Sequence, residues 1–285
     1  MSLLPARASP GGSSRPARDV ERVTLRAEGV ALRAGGKPSG RPLVSHCGLT
    51  VDALQRWVIL GPNGAGKSSL LAALAGVFPL ERGCVHIDGR PLDAWSPRAL
   101  ASRRAWCPQL WSDPFPASAR ATLALAMERG RWWPRDDAGT DPALEAWIDR
   151  LDLRGLEAAD VRTLSGGERQ RVALGTTLLQ GAPLVMLDEP AAHLDLRHRR
   201  LLLDVLLEHA AGGGSVVACM HDLDLAWALA THAVLLDGRG GCVAGLRDDV
   251  MTPARIGAAF DVAVDAVDIA GGRRFAIVLG AGPRA

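Results

Sequence analysis

Residues 61–69 read GPNGAGKSS, a glycine-rich run that ends on a lysine and two hydroxyl side chains. The form G-x-x-x-x-G-K-[ST] between a strand and a helix suits the holding of a polyphosphate. Glycines let backbone amides turn inward around phosphate oxygens, and a following helix adds the favourable dipole of its N-terminus. Lys67 then reaches the β- and γ-phosphates, and Ser68 offers a hydroxyl to magnesium. A dinucleotide-binding fingerprint fits less well, because it has no use for a Lys-Ser pair.

Hydrolysis of a terminal phosphate needs two further things, a metal site and a group that positions or deprotonates water. LVMLDEP (184–190) ends an apolar run on two carboxylates. Asp188 at the strand end can hold magnesium through its water shell, and Glu189 then points to where water attacks. Read alone, the same residues are a solvated acidic turn closing a strand; the phosphate loop decides between the two. His221 follows the apolar run SVVACM, and Gln109 follows RAWCPQ. Both fall at the C-terminal edge of strands, the rim where ligands of parallel sheets bind. There His221 can bond the γ-phosphate and sense its loss, and Gln109 can touch magnesium or the water.

LSGGERQR (164–171) has no such chemistry of its own. Ser165 and Glu168 have capping-box spacing, with the hydroxyl on an early helical amide and the carboxylate reaching back to the serine amide. Two glycines just inside a helix each weaken it by roughly 1 kcal/mol relative to alanine. A helix start stripped of side chains implies that something approaches its backbone closely.

These residues must be positioned by an α/β framework, since short apolar runs alternate with helical spacing. RWVILG reads as a strand entering the phosphate loop and SSLLAALAGV as the helix leaving it. CVHIDG, RAWCPQ, LVMLD, SVVACM and HAVLLDG read as further strands. Strand signal disappears between about 112 and 165, where ATLALAMERG and ALEAWIDRLDL have helical spacing; this predicts a helical insert. Leu203, Leu206, Leu207 and Ala210 form an apolar helical face. AVDAVDIAGGRRFAIVL predicts a hairpin over about 262–280 that turns tightly at Gly271 and Gly272.

Composition narrows the classes. The chain has 285 residues, 48% of them hydrophobic, and a formal net charge of +2. That balance demands neither nucleic acid nor an acidic membrane surface as a partner. The five cysteines are scattered without a C-x-x-C pair, which predicts reduced core thiols in a cytosolic protein. Residues 1–20 lack the continuous apolar segment of a signal peptide, and their Pro, Gly, Ser and Arg content predicts a disordered tail. No run is long and uncharged enough to span a bilayer.

The ordered set GPNGAGKSS, Gln109, LSGGERQR, LVMLDEP, AAHLD and His221 resembles the ATP-binding subunit of ABC transporters over nearly the whole chain after the tail. The resemblance implies a P-loop NTPase core with a mainly parallel sheet, an antiparallel β subdomain and a helical signature subdomain, all within 21–285. It makes Gly61, Pro62, Asn63, Gly64, Ala65, Gly66, Lys67, Ser68 and Ser69 the Walker A loop. Asp188 and Glu189 end Walker B, Asp195 closes the D-loop, Gln109 is the Q-loop residue and His221 the switch histidine. Catalysis then rests on Glu189, His221 and Gln109, with magnesium on Ser68, Gln109 and Asp188.

It also implies ATP and Mg2+ as cofactors and a head-to-tail homodimer. In that dimer Ser165, Gly166, Gly167 and Glu168 cover the γ-phosphate held by the other copy's Walker A loop. The chain departs from the family at the adenine. It has no tyrosine, and VALRAGG offers only Ala34 or Arg33 where an aromatic residue commonly stacks. LQRW stands where Gly-Glu often precedes the Walker A strand.

An ATP-holding scaffold that does not hydrolyse has no use for Glu189, His221 and Gln109 together. Chromosome and DNA-repair members need a long heptad-rich insert, and translation members carry two ATPase units. A transporter subunit remains, placed at the cytoplasmic face of the inner membrane. The absence of fused membrane helices resembles an importer, with separate permease subunits and, indirectly, an extracytoplasmic binding protein. MHDLDLAWALATHAVLLDG and VMTPARIGAAFDV are similar to the group that imports cobalamin, ferric siderophores and haem. GRPLDAWSPRALASRRAWCPQ and PFPASA resemble most the cobalamin branch, with ferric siderophore or haem as the alternative. Leu110, Trp111 and Phe115 offer apolar anchors for a permease coupling helix; the same residues also suit ordinary subdomain core.

Glu189→Gln is expected to keep ATP binding, lower the hydrolysis rate by about 100-fold or more, and accumulate as an ATP-bound dimer. Single-turnover hydrolysis with size-exclusion chromatography checks this, and normal turnover would remove Glu189 from its assigned role.

Overall fold

The computed structural model describes residues 22–109, 115–127, 141–270 and 272–278. Its elements begin with β1 (Leu25–Arg33), β2 (Pro42–Val51), β3 (Arg56–Leu60), α1 (Lys67–Leu74), β4 (Arg82–Ile87), β5 (Arg90–Pro91), α2 (Pro97–Arg103) and β6 (Arg104–Cys107). Then follow α3 (Ala119–Met127), α4 (Pro142–Arg150), α5 (Gly166–Leu179), β7 (Leu184–Asp188), α6 (Leu196–Ala211), β8 (Ser215–Cys219) and α7 (Leu223–Leu229). The chain continues through β9 (His232–Leu236), β10 (Cys242–Leu246), α8 (Arg247–Val250), α9 (Pro253–Phe260), β11 (Val264–Ile269) and β12 (Gly272–Ile277).

A six-stranded sheet in the order β10-β9-β3-β8-β7-β6 carries the chemistry. Its strands from β9 to β6 run parallel, and β10 adds an antiparallel edge. The strands read as continuous apolar runs because both faces are covered. Val58, Leu60, Val185, Leu187, Val216 and Ala218 enter one core, formed with the helices α3 to α7. Trp57, Ile59, Leu184, Met186, Val217 and Cys219 enter the other, shared with α1 and a second sheet. That second sheet is antiparallel, in the order β2-β1-β4-β5. The runs that read as strands in the sequence are strands here; β1, β2, β5 and β10 carried weaker signal, since one face of each meets solvent or a loop.

Between 115 and 165 the described residues hold α3, α4 and a short 3-10 turn at Val161–Thr163. Leu123 of α3 and Leu151 after α4 pack onto α5 where Gly175 leaves room, for a Cβ there would lie 2.7 Å and 2.4 Å from their methyls. On α6 the fully covered positions are Leu202, Val205, Leu206 and Ala210, with Leu203 and Leu207 at the margin. The apolar stripe is thus turned by about one residue from the face that spacing alone suggested. The β11–β12 hairpin docks on α7: the Arg273 guanidinium lies 4.8 Å from the Trp227 ring centroid and Phe275 meets that ring edge-on at 5.7 Å, while Arg247 of α8 lies over it at 4.1 Å. Gly271, the tail 1–20, Leu110 and Trp111 lie outside the described residues.

Candidate active site

The strand β3 ends at Leu60, and the chain then wraps into α1 through residues that have little room for side chains. Gly61, Gly64 and Gly66 have φ of 147°, 75° and 100°, a region open to glycine. A Cβ on Gly61 would lie 2.5 Å from the Leu236 carbonyl oxygen, and one on Gly66 2.9 Å from Leu43 Cβ. The loop is therefore gripped on both flanks, by the end of β9 and by β2. Ala65 is buried beneath it.

Lys67 is 5% exposed. Its ammonium folds back to donate to the carbonyl oxygens of Gly61 (2.9 Å) and Pro62 (3.1 Å). Burial pushes its pKa down, partly offset by nearby negative groups including Glu189 and Asp188. Ser68 Oγ donates to Asp188 Oδ1 at 3.0 Å, joining positions 120 residues apart. Asp188 is 4% exposed, and burial raises its pKa although the Ser68 hydroxyl opposes this. A hydroxyl and a buried carboxylate side by side are a donor set for a hard divalent cation such as magnesium.

Glu189 has φ 51°, an uncommon conformation for a non-glycine residue and a mark of a constrained site. Gln109 Nε2 donates to its Oε2 at 2.9 Å, and His221 Nε2 makes a short contact with its Oε1. Gln109 thus rests on Glu189, while the metal-type pair is Ser68 with Asp188. An open cleft of about 620 Å³ runs over Asn63, Gly64, Lys67, Ser68 and Ser69 to Gln109, Glu189 and His221.

The cleft is also lined by Ala34, Gly35, Arg41 and Leu43. Arg33 is held elsewhere, by Glu81 at 2.8 Å and the Gly40 carbonyl at 3.0 Å. Of the two adenine candidates read from the sequence, the structure therefore brings Ala34 to the cleft and not Arg33. Arg41 is the residue that motif reading missed: its guanidinium reaches across to the Gly64 carbonyl at 2.5 Å. No motif flags it, because its place follows from β2 lying against the loop.

Ser165, Gly166, Gly167, Glu168 and Asp195 do not line this cleft. The capping box is formed, with Glu168 Oε2 accepting from the Ser165 amide at 2.8 Å and its hydroxyl at 2.7 Å. The bare helix start has a neighbour within its own chain. A Cβ on Gly167 would lie 2.9 Å from the His193 carbonyl oxygen, and one on Gly166 3.2 Å from His193 Cγ. His193 itself has φ 62°. Asp195 caps α6, accepting from the His198 amide at 2.9 Å, and His198 links it to Asp152 at 3.3 Å. Ser165, Gly166, His193 and Asp195 are all solvent-exposed.

The family model described as ABC transporter matches residues 44–192, from β2 through the phosphate loop and signature to the turn after Glu189. The chain belongs to this family. A hemin import ATP-binding protein HmuV of Streptomyces coelicolor is 38% identical over 264 residues, 92% of this chain and 91% of that protein. The HmuV of Nocardia farcinica is 42% identical over 218 residues, 75% of each chain. A solved structure titled an inward-facing conformation of a putative metal-chelate type ABC transporter has the same fold. It superposes with a TM-score of 0.72 at 20% identity, covering 90% of this chain and 97% of that one. The protein is thus an ABC transporter ATP-binding subunit, an ATPase coupled to transport. No helix among the described residues is long and apolar enough to cross a membrane.

Two outcomes follow from this geometry. Gly167→Ala is expected to displace the His193 backbone and lower ATPase activity roughly tenfold or more, while fluorescent-ATP affinity of the monomer stays within about twofold because the signature is off the cleft. An equal loss of nucleotide binding would contradict this arrangement. For Asp188, the native carboxyl titrates above its unfolded value of about 3.9. Its stabilising effect relative to the ionised form is thus lost as pH rises through the native pKa. Asp188→Asn should raise the melting temperature of the nucleotide-free protein above that pKa, and the gain should vanish as pH falls to the unfolded value.

Proposed function

We propose that this chain is the ATP-hydrolysing subunit of a haem importer, working as a homodimer beneath a separate permease. The observation that carries the reading is the 38% identity with the S. coelicolor hemin import protein, sustained over 92% of the chain. Further relatives in Rhodococcus jostii and Thermobifida fusca have the same name, at 38% and 36% identity. These relatives support the haem alternative of the sequence reading and lend nothing to the cobalamin branch.

Each site residue has a task in that cycle. Amides of Gly61–Lys67 bind the phosphates, and Lys67 exchanges its two loop carbonyls for phosphate oxygens. Ser68 and Asp188 would hold magnesium, which would supply positive charge against the phosphates. Glu189 orients water and takes its proton at Oε1 or Oε2, His221 Nε2 turns from Glu189 to the γ-phosphate, and Gln109 reports the same change toward the helical insert. In place of an aromatic residue, Ala34, Gly35 and Arg41 receive the base, with the guanidinium plane as the stacking surface.

Ser165, Gly166 and Gly167 act on the nucleotide of the second copy. The exposed strip from Ser165 to His193 and Asp195 supports this, since it presents a helix N-terminus outward and away from its own cleft. On the helical insert, Phe115 is 76% exposed and Leu125 63%, apolar surface suited to a permease coupling helix at the cytoplasmic face. The binding protein outside the membrane delivers the cargo, which this subunit never touches.

The test is the ATPase rate of the complex captured with its native permease, with binding protein carrying haem, a ferric siderophore or a corrinoid. Stimulation by haem alone is the expected result. Stimulation by a ferric siderophore or corrinoid instead would keep the ATPase cycle and overturn the cargo.

A further inference from the structure

Cys47 on β2 and Cys242 on β10 are 195 positions apart in sequence, and their sulfurs meet at 2.9 Å with the Cys242 thiol as donor. Cys47 is buried and Cys242 half-buried, so one side of the pair opens toward solvent. The other three cysteines face different partners: Cys84 the Glu28 carboxylate at 3.7 Å, Cys107 the Pro108 carbonyl at 3.9 Å, and Cys219 the Asp188 carboxylate.

The place of the pair gives it meaning. It lies on the seam between the antiparallel sheet and the edge of the parallel one, where the Ser45 amide donates to the Gly240 carbonyl at 2.9 Å. The two segments that meet there are the flanks of the phosphate loop. From β2, Leu43 fills the space beside Gly66, and just before it Arg41 holds the Gly64 carbonyl. From β9 and the turn into β10, the Leu236 carbonyl lies against Gly61, and Gly238 lies so near Pro62 that a Cβ would stand 3.3 Å from Pro62 Cγ.

We propose that Cys47 and Cys242 form a reversible thiol–disulfide site, oxidised by a low-molecular-weight disulfide, whose bond clasps the two flanks of the phosphate loop. Attack by one sulfur on the low-mass disulfide releases one low-mass thiol and leaves a mixed disulfide. Attack by the second sulfur on the protein sulfur of that adduct releases the other thiol and closes the Cys47–Cys242 bond. The pair loses two electrons and two protons, and the low-mass disulfide gains them as two thiols. The Cys242 hydrogen bond lowers the Cys47 pKa, which favours thiolate on Cys47 while both are reduced. Intracellular disulfides are characteristically transient and redox-sensing, and a pair already in contact closes with little backbone movement.

The experiment uses the full chain with oxidised glutathione as the probe, alkylation of remaining thiols, intact mass and a non-reducing peptide map. The expected product has lost two hydrogens and contains a Cys47–Cys242 linked peptide, with Cys84 alkylated as the internal control. Closure should raise the melting temperature by roughly 5–10 °C, slow amide hydrogen exchange across residues 61–66, and reverse with dithiothreitol. In Cys242→Ser, oxidised glutathione should move neither readout. A stable glutathione adduct on either cysteine without closure overturns the site. A disulfide that leaves loop exchange unchanged overturns the clasp.

Discussion

The site depends on the register of a parallel ladder. Ile59 of β3 lies opposite Cys219 of β8, Cys219 opposite Asp188 of β7, and Leu187 opposite Cys107 of β6. Four strands therefore end at one level, and the residues just past their ends are the phosphate loop, His221, Glu189 and Gln109. A slip of one residue in any strand would send its side chains to the opposite core. Because both faces are packed with apolar side chains, two cores resist that slip at once. The chemistry at the rim is in this sense held by residues that never touch it.

What the ladder delivers to the rim is not comfortable. Lys67 is buried on carbonyl oxygens, Asp188 is buried against the Ser68 hydroxyl and the Cys219 thiol, and Glu189 sits at positive φ. Each feature opposes stability; the oxygens of a nucleotide would ease the burial of the lysine, and the charge of a divalent cation would ease that of the carboxylate. Charge placed where packing disfavours it is a mark of a functional site. Gln109 and His221 both reach the Glu189 carboxylate at this rim.

Gly166 and Gly167 have a structural use within the chain. Their missing side chains admit the backbone of His193, which ties the start of α5 to the turn after Glu189. Movement of the turn after Glu189 is thus felt directly at the start of α5. Asp195 and His198 extend this contact to Asp152 beside the helical region.

Most of the site was legible from sequence because its parts are local. A phosphate loop is contiguous backbone, a capping box spans four residues, and a strand buried on both faces announces itself as an apolar run. Ala34 and Arg33 were equal candidates for the base until tertiary contacts gave Arg33 to Glu81 and left Ala34 at the cleft. Arg41 was invisible for the same reason, and so was the meeting of Cys47 with Cys242. The sequence by itself determined which chemistry the chain can perform, because residue types and short spacings set donors, acceptors and turns. Only the tertiary structure decided which unflagged residues join them, such as Arg41 on the Gly64 carbonyl and Cys47 with Cys242 across 195 positions. Those pairings come from strand order and packing, which no local spacing encodes.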